Sequence, residues 1–375
     1  MIGLDTGHLV HNYGTKLQAY AMQTLLESNG EKCEIIQWHK KGNNFSYGII
    51  NYIKRLNKIH KLYKNKISLW PKIYKRYKAF DKFNKKFNIK RYYGNFEEMK
   101  EYLKNYSIVF CGSDQAWLPE NVKNHYYTLE YCDDTVFKAA YAPSFGVDKI
   151  EKQYQEMYFK FLSKMDSISV REISGQKIIK DIIGKDVPVV LDPTLLVQKE
   201  VWDDLYKESR MKKIKDKYVF CYLLGENEQH REIIKKIAKE NNLKIVNLQH
   251  FSKYNKADEN FGDYNLFDVS PQDFIYLIAN SELVCTDSFH CTVFSIHYKK
   301  NFWVFRRFKT NDKMSTNTRI YSLLGQLGLE DRIVNHNDIM INENIFYDDV
   351  YEKLEKMKVI SAEYMKNAMG GKKNV

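Results

Sequence analysis

Leu283-Val284-Cys285-Thr286-Asp287-Ser288-Phe289-His290-Cys291-Thr292-Val293-Phe294-Ser295 is an apolar strand that passes through hydroxyls, one carboxylate and one histidine into a helix. Such a strand, turn and helix repeats through the second half. Strands are predicted at 218–224, 244–248, 283–285 and 302–305, with helices at 228–240 and 271–279 between them. Alternation of this kind specifies a parallel sheet covered by helices on both faces.

The first half has the same grammar. A strand at 2–4 leads through a polar loop into a helix at 15–28, closed by Asn29-Gly30, and a strand follows at 33–38. Further strands are expected at 107–111, 138–141, 167–170 and 187–191. Polar residues recur just past the strand ends, where open parallel sheets bind their ligands. The predicted fold is α/β, two Rossmann-like domains facing a cleft. Residues 1–206 form the first domain, 207–344 the second, and 345–375 a helix and tail crossing back to the first. Gly7 and Gly14 do not have phosphate-loop spacing, so an ATP site is not supported.

The chain of 375 residues, 44% hydrophobic and 28% charged, has the makings of packed domains rather than disorder. Its apolar runs are far shorter than the roughly 20 residues a spanning helix needs. No basic flank and long apolar core opens the sequence, so a cytoplasmic protein is expected. Six cysteines without a Cys-x-x-Cys pair suggest reduced thiols in cores and no zinc site.

The net charge of +12 is local: residues 48–91 hold 15 basic residues against one acid, Asp81. Aromatics interleave with the lysines, as in Tyr74-Lys75-Arg76-Tyr77-Lys78-Ala79-Phe80. This predicts a basic helical insertion in the first domain. Either its aromatics pack on the body while the lysines stay wet, or it docks on an anionic membrane. No nucleic-acid motif accompanies the charge, so nucleic acid is not an expected partner.

The helix opening at Ser288 favours an anion, because free N–H groups and the helix dipole point at it. Thr286 and Ser288 would add donors, and His290 would hold or relay a proton. An ordinary capping turn around a buried histidine answers to the same residues. Arg306, Arg307 and Lys309 follow the next strand and either face the same anion or form a solvated loop. Arg171, after the alternating Ile168-Ser169-Val170, suits bidentate pairing with phosphate or carboxylate, or a structural salt bridge.

Six motifs occur in one order: Asn12-Tyr13-Gly14 with Leu17-Gln18-Ala19-Tyr20-Ala21-Met22-Gln23, Gly112-Ser113-Asp114-Gln115-Ala116-Trp117, Tyr141-Ala142-Pro143-Ser144-Phe145-Gly146, Ser169-Val170-Arg171-Glu172, Leu191-Asp192-Pro193-Thr194 and Thr286-Asp287-Ser288-Phe289-His290. Together they resemble the polysaccharide pyruvyl transferase family. The resemblance implies a GT-B-like fold, phosphoenolpyruvate as co-substrate, a saccharide diol as acceptor, a pyruvate ketal as product, and no metal or cofactor. By this likeness Arg171 and a basic residue after the 302–305 strand, Lys309 first, bind the donor, and His290 serves acid-base chemistry. Asp287 would orient His290 or cap its helix. Asn12, Tyr13, Ser113, Asp114 and Gln115 offer amides, carboxylate and ring faces to the acceptor. A lipid-linked acceptor would give the 48–91 segment a purpose at the inner face of the cytoplasmic membrane. A nucleotide-sugar glycosyltransferase of the same architecture and a non-catalytic saccharide- or membrane-binding protein are the alternatives.

Overall fold

The computed structural model describes residues 1–28, 30–39, 47–250, 254–307, 318–334 and 344–371. Among them, two parallel sheets carry the fold. Strands β1 (Ile2–Asp5), β2 (Cys33–His39), β3 (Ile89–Tyr93), β4 (Ile108–Cys111), β5 (Phe137–Ala140) and β6 (Ser167–Ile168) lie in the order β3-β2-β1-β4-β5-β6. Strands β7 (Tyr218–Tyr222), β8 (Lys244–Leu248), β9 (Tyr264–Leu266), β10 (Leu283–Thr286) and β11 (Asn301–Val304) lie in the order β11-β10-β7-β8-β9. Their central strands, such as Ile108–Cys111 and Leu283–Thr286, are apolar and buried throughout, as strands covered on both faces must be. Each order reverses around its first strand, β1 or β7. That reversal leaves a crevice at the strands' carboxyl ends. The result is the GT-B-like pair of Rossmann-like halves.

Three elements differ from the sequence reading. The 89–93 segment, partly counted with the basic insertion, is the edge strand β3, and its half-exposed side chains gave no apolar pattern. The three-residue β9 was too short to read. The 187–191 strand is reduced to a single bridge, Val170 to Val189, because Pro188 has no N–H with which to extend a ladder.

The halves are tied together by side chains. Helix α1 (Tyr13–Glu27) begins with Tyr13, whose ring stacks on Phe274 at 4.8 Å and whose Oη donates to the Val269 carbonyl at 3.0 Å. The basic segment forms α2 (Tyr47–Leu62) and α3 (Trp70–Phe83). Ile73, Tyr77, Phe80 and Phe83 recur at helical spacing and enter the core. Between them Arg76 is buried, donating to the carbonyls of Phe267, Gln249 (2.9 Å) and Leu266 (3.3 Å) at the ends of β8 and β9. The helix Tyr347–Met369 starts beside the second sheet, where Tyr347 donates to the Lys300 carbonyl at 2.5 Å. It ends on the first, where Tyr364 donates to the Ala140 carbonyl at 2.9 Å and Ser361 accepts from Leu191 N. All six cysteines are buried and free. No helix among the described residues is long and apolar enough to cross a membrane.

Candidate functional site

The carboxyl ends of β4 and β10 face each other across the crevice, and their loops bring charged groups together. After β4, Ser113 is buried and Asp114 takes a left-handed conformation, φ 65°. That conformation is uncommon for a residue with a Cβ and marks a constrained position. The Asp114 carbonyl accepts from Ser144 N at 2.8 Å, and its Oδ2 accepts from Thr15 Oγ1 at 2.9 Å.

Asp192 is the hub. Its Oδ1 accepts from Thr194 N (3.0 Å) and Thr194 Oγ1 (2.6 Å), while its Oδ2 accepts from Arg171 Nη1 (2.6 Å) and Ser113 Oγ (3.2 Å). His290 Nε2 stands 3.6 Å from the same Oδ2 and makes no hydrogen bond. His290 lies in the first turn of the helix Phe289–His297, so the imidazole reaches the first half from the second. A Cβ at Gly14 would lie 2.2 Å from its Nδ1, so the close approach of α1 requires glycine there.

Around Asp114 two arginines converge. Arg171 Nη2 is 3.9 Å and Arg319 Nη1 3.8 Å from Asp114 Oδ1. The Arg171 guanidinium lies 4.3 Å above the Phe289 ring, and Arg319 lies 5.8 Å from that ring. Two buried donors of Arg171, Nε and Nη2, make no hydrogen bond. Arg307 Nη2 donates to the Asp287 carbonyl at 2.8 Å.

The charges perturb one another. Burial pushes the Arg319 guanidinium down, and Arg171 and Arg307 push further, against the opposing pull of Asp114, to about 10. Burial would raise the carboxyls of Asp114 and Asp192, but His290 and Arg171 outweigh it at both. Arg319 and Thr15 add to this at Asp114, Thr194 at Asp192, and both carboxyls sit below their usual range. Arg171 is lowered by burial and raised more strongly by Asp192, Glu172 and Asp114. A site that crowds arginines near carboxylates already satisfied by other donors is suited to a further, multiply charged anion.

Of the residues singled out in the sequence, Ser113, Asp114, Arg171 and His290 come together, with Arg307 beside them. Others do not. Tyr13 is fully buried and serves the joint between the halves, so it offers no face to an acceptor. Asn12 caps α1 by accepting from Thr15 N at 3.2 Å. Asp287 neither orients His290 nor caps its helix: its oxygens accept from Leu224 N (2.8 Å) and Gly225 N (2.7 Å) and hold the loop after β7. The carboxylate beside His290 is Asp192. Thr286 Oγ1 donates to the Tyr222 carbonyl and accepts from Ser288 N, so this hydroxyl is taken up by the turn. Ser288 is the N-cap of the His290 helix without a side-chain cap bond. Arg306 is exposed, 5.8 Å from the Tyr321 ring. The Gln115 carbonyl accepts from Asn121 Nδ2, and its amide is packed against Gly146. Lys309 lies outside the described residues.

Asp192 stood in a quoted motif without a role. Arg319 was missed because no regular pattern links it to the strand at 301–304; its signal is only its place at the start of a helix. Thr15 and Phe289 were read as helix residues and nothing more.

Two solved structures share this architecture at low identity. The UDP-GlcNAc 2-epimerase from Neisseria meningitidis bound to UDP-GlcNAc gives a TM-score of 0.52 at 10% identity, over 100% of this chain and 95% of that one. The Methanocaldococcus jannaschii UDP-GlcNAc 2-epimerase in complex with UDP-GlcNAc and UDP gives 0.52 at 13%, over 98% of each chain. At such identities the likeness is one of fold alone. No curated protein matches the sequence. The sequence model of the family described as polysaccharide pyruvyl transferase matches residues 12–307, a span that takes in Thr15, Asp114, Arg171, Asp192, His290 and Arg307. With that span and the paired halves that carry it, the chain belongs to the polysaccharide pyruvyl transferase family.

Proposed function

We propose that the protein transfers the enolpyruvyl group of phosphoenolpyruvate to two hydroxyls of a saccharide, forming a pyruvate ketal and releasing phosphate during surface-polysaccharide assembly. The observation that carries this reading is the convergence of Arg171, Arg307 and Arg319 on the side of the crevice where His290 enters, with Arg319 held down to about 10. A phosphate monoester brings about −1.5 to −2 of charge at neutral pH, and the donor's carboxylate adds one more. Such an anion relieves the mutual repulsion of the guanidinium groups and supplies acceptors for Arg171 Nε and Nη2.

The reaction balances without a redox step. A proton adds to the donor's methylene carbon, and the electron-poor C2 is attacked by one sugar hydroxyl, which loses its proton. The second hydroxyl displaces phosphate from C2, closing the ring, and its proton leaves with the phosphate. His290 carries the proton to the methylene carbon and recovers one from the attacking hydroxyl; Asp192, held by Thr194, Ser113 and Arg171, positions the imidazole. Ser113 and Asp114 border the acceptor's approach.

The basic segment favours an acceptor held at a membrane on the cytoplasmic side. Ile53, Leu56 and Ile67 are exposed at 49, 41 and 65% among exposed lysines, while the aromatic face of α3 is buried. Apolar side chains ringed by lysines suit an anionic lipid surface. Incubating the protein with phosphoenolpyruvate and a panel of synthetic or lipid-linked glycosides tests the reaction. Phosphate release with a pyruvyl mass increment on the glycoside is expected; release of nucleotide from a sugar nucleotide instead would overturn the reading.

A further inference from the structure

A second cavity, of about 80 Å³, opens at the carboxyl ends of β1 and β2, and none of its lining residues belongs to the arginine cluster. Asp5, His8, Gln37, Trp38, Tyr126 and Tyr127 contribute to its wall. Its polar groups are set for hydroxyls. His8 is 4% exposed, and its Nδ1 lies 2.9 Å from the Thr6 carbonyl. A carbonyl only accepts, so Nδ1 carries the hydrogen and Nε2 presents a lone pair. That buried Nε2 makes no hydrogen bond. Burial lowers the basicity of the ring against the opposing pull of the Thr6 carbonyl, Lys16 lowers it further, and the nearby Gln37 side chain partly offsets this. Asp5 receives Tyr131 Oη and Tyr127 N on Oδ2, and no donor among the described residues bonds its Oδ1.

The rim differs from the floor. Leu9, Val10 and Tyr126 are 55, 63 and 44% exposed at the mouth. A lone-pair acceptor and a carboxylate below an apolar and aromatic edge match a pyranose, which has hydroxyls around its edge and C–H groups on its face. The volume equals roughly two to three water molecules, so it takes part of one ring and leaves the rest outside. The cavity also adjoins the charged site. Tyr127 Oη and Thr15 Cγ2 lie 3.6 and 3.3 Å from the same point above Gly7, and Thr15 is the residue bonded to Asp114.

We infer that this cavity is the saccharide subsite, in which hydroxyls of one acceptor sugar bond His8 Nε2 and Asp5 while its ring face rests on Tyr126 and its neighbouring diol turns toward Asp114. The inference takes its acceptor from the proposed pyruvyl transfer. Two readouts separate the two. Methyl galactoside, methyl mannoside and methyl N-acetylglucosaminide are titrated against the full-length protein while tryptophan emission, Trp38 included, is followed, and acceptor and phosphoenolpyruvate KM values are measured in parallel. At least one glycoside binds, and Trp38→Phe removes its signal. His8→Ala and the surface change Tyr126→Ala each weaken binding and raise the acceptor KM about tenfold, as expected for one lost hydrogen bond or ring contact, with the phosphoenolpyruvate KM unchanged. Pyruvyl transfer with an acceptor KM unmoved by either variant overturns the subsite and leaves the reaction standing. Glycoside binding that both variants weaken, without any transfer, leaves the subsite and overturns the reaction. Neither binding nor transfer overturns both.

Discussion

Gly14 and His290 touch across the crevice with no room for a methyl group: a Cβ on residue 14 would sit 2.2 Å from the imidazole Nδ1 and 2.9 Å from the histidine's own Cβ. Gly14→Ala therefore drives the ring away from Asp192. Turnover is expected to fall by about 10² or more if His290 moves the proton. Alanine's helix preference over glycine, up to about 1 kcal/mol, offsets only part of the overpacking, about 1–3 kcal/mol, so the urea midpoint should fall modestly. Normal turnover in this variant would remove His290 from the chemistry.

Arg319→Gln separates donor binding from stability. Losing one charged hydrogen bond to the donor corresponds to about 1.5–3 kcal/mol, or roughly a 10- to 150-fold rise in the phosphoenolpyruvate KM. The same change relieves the repulsion from Arg171 in the unliganded protein, so thermal stability should be unchanged or higher. A variant that loses stability with no change in KM would make Arg319 a structural residue only.

The site was partly legible because its chemistry sits at strand ends. Arg171 and His290 follow apolar runs whose direction and burial sequence alone specifies, so their shared location follows from the parallel topology. Asp192, Gly14 and Tyr13 depend on distances between halves that no local pattern records. Asp287 carried the plausible role, adjacent to His290 in sequence, yet neighbours along a chain entering a helix point different ways. Gly14 is needed for space rather than for an unusual φ, and spacing rules built on turn glycines pass over it. The edge strand β3 was hidden because an exposed strand rich in lysine and arginine has no apolar alternation to read.

Asp5 provides a pH signature. Burial raises its carboxyl to about 6 despite the bonds from Tyr131 and Tyr127. The folded state thus holds this proton more tightly than the unfolded state, whose carboxyl ionises near 4. Below about pH 4 the group contributes no difference; between about pH 4 and 6 the unfolded chain ionises first and stability falls; above 6 the full cost, about 3 kcal/mol, remains. Asp5→Asn should gain stability over the parent at pH 8 and lose that advantage at pH 4 in urea unfolding. Parallel curves for the two proteins would contradict the assignment.

Arg76→Ala tests the attachment of the basic helices. It leaves the carbonyls of Phe267, Gln249 and Leu266 without their buried donor, a loss of about 3 kcal/mol. Limited proteolysis should shift toward the 47–83 segment, and the urea midpoint should drop. An unaltered midpoint would show that aromatic packing alone holds α3.

Replacing exposed Lys54, Lys58, Lys61 and Lys64 with Glu tests membrane docking. Each lysine near an anionic surface contributes about 1 kcal/mol, so the parent should float with liposomes containing phosphatidylglycerol and the variant should not. Equal flotation, or none by the parent, would leave α2 as a solvated helix.

The long helix Tyr347–Met369 sits like a bolt thrown across a door, with Tyr347 in one leaf and Ser361 and Tyr364 in the other. Tyr13 and Arg76 are latches on the same jamb. Wide clamshell swinging would draw all of them at once. Opening the two leaves wide therefore costs all of these bonds together.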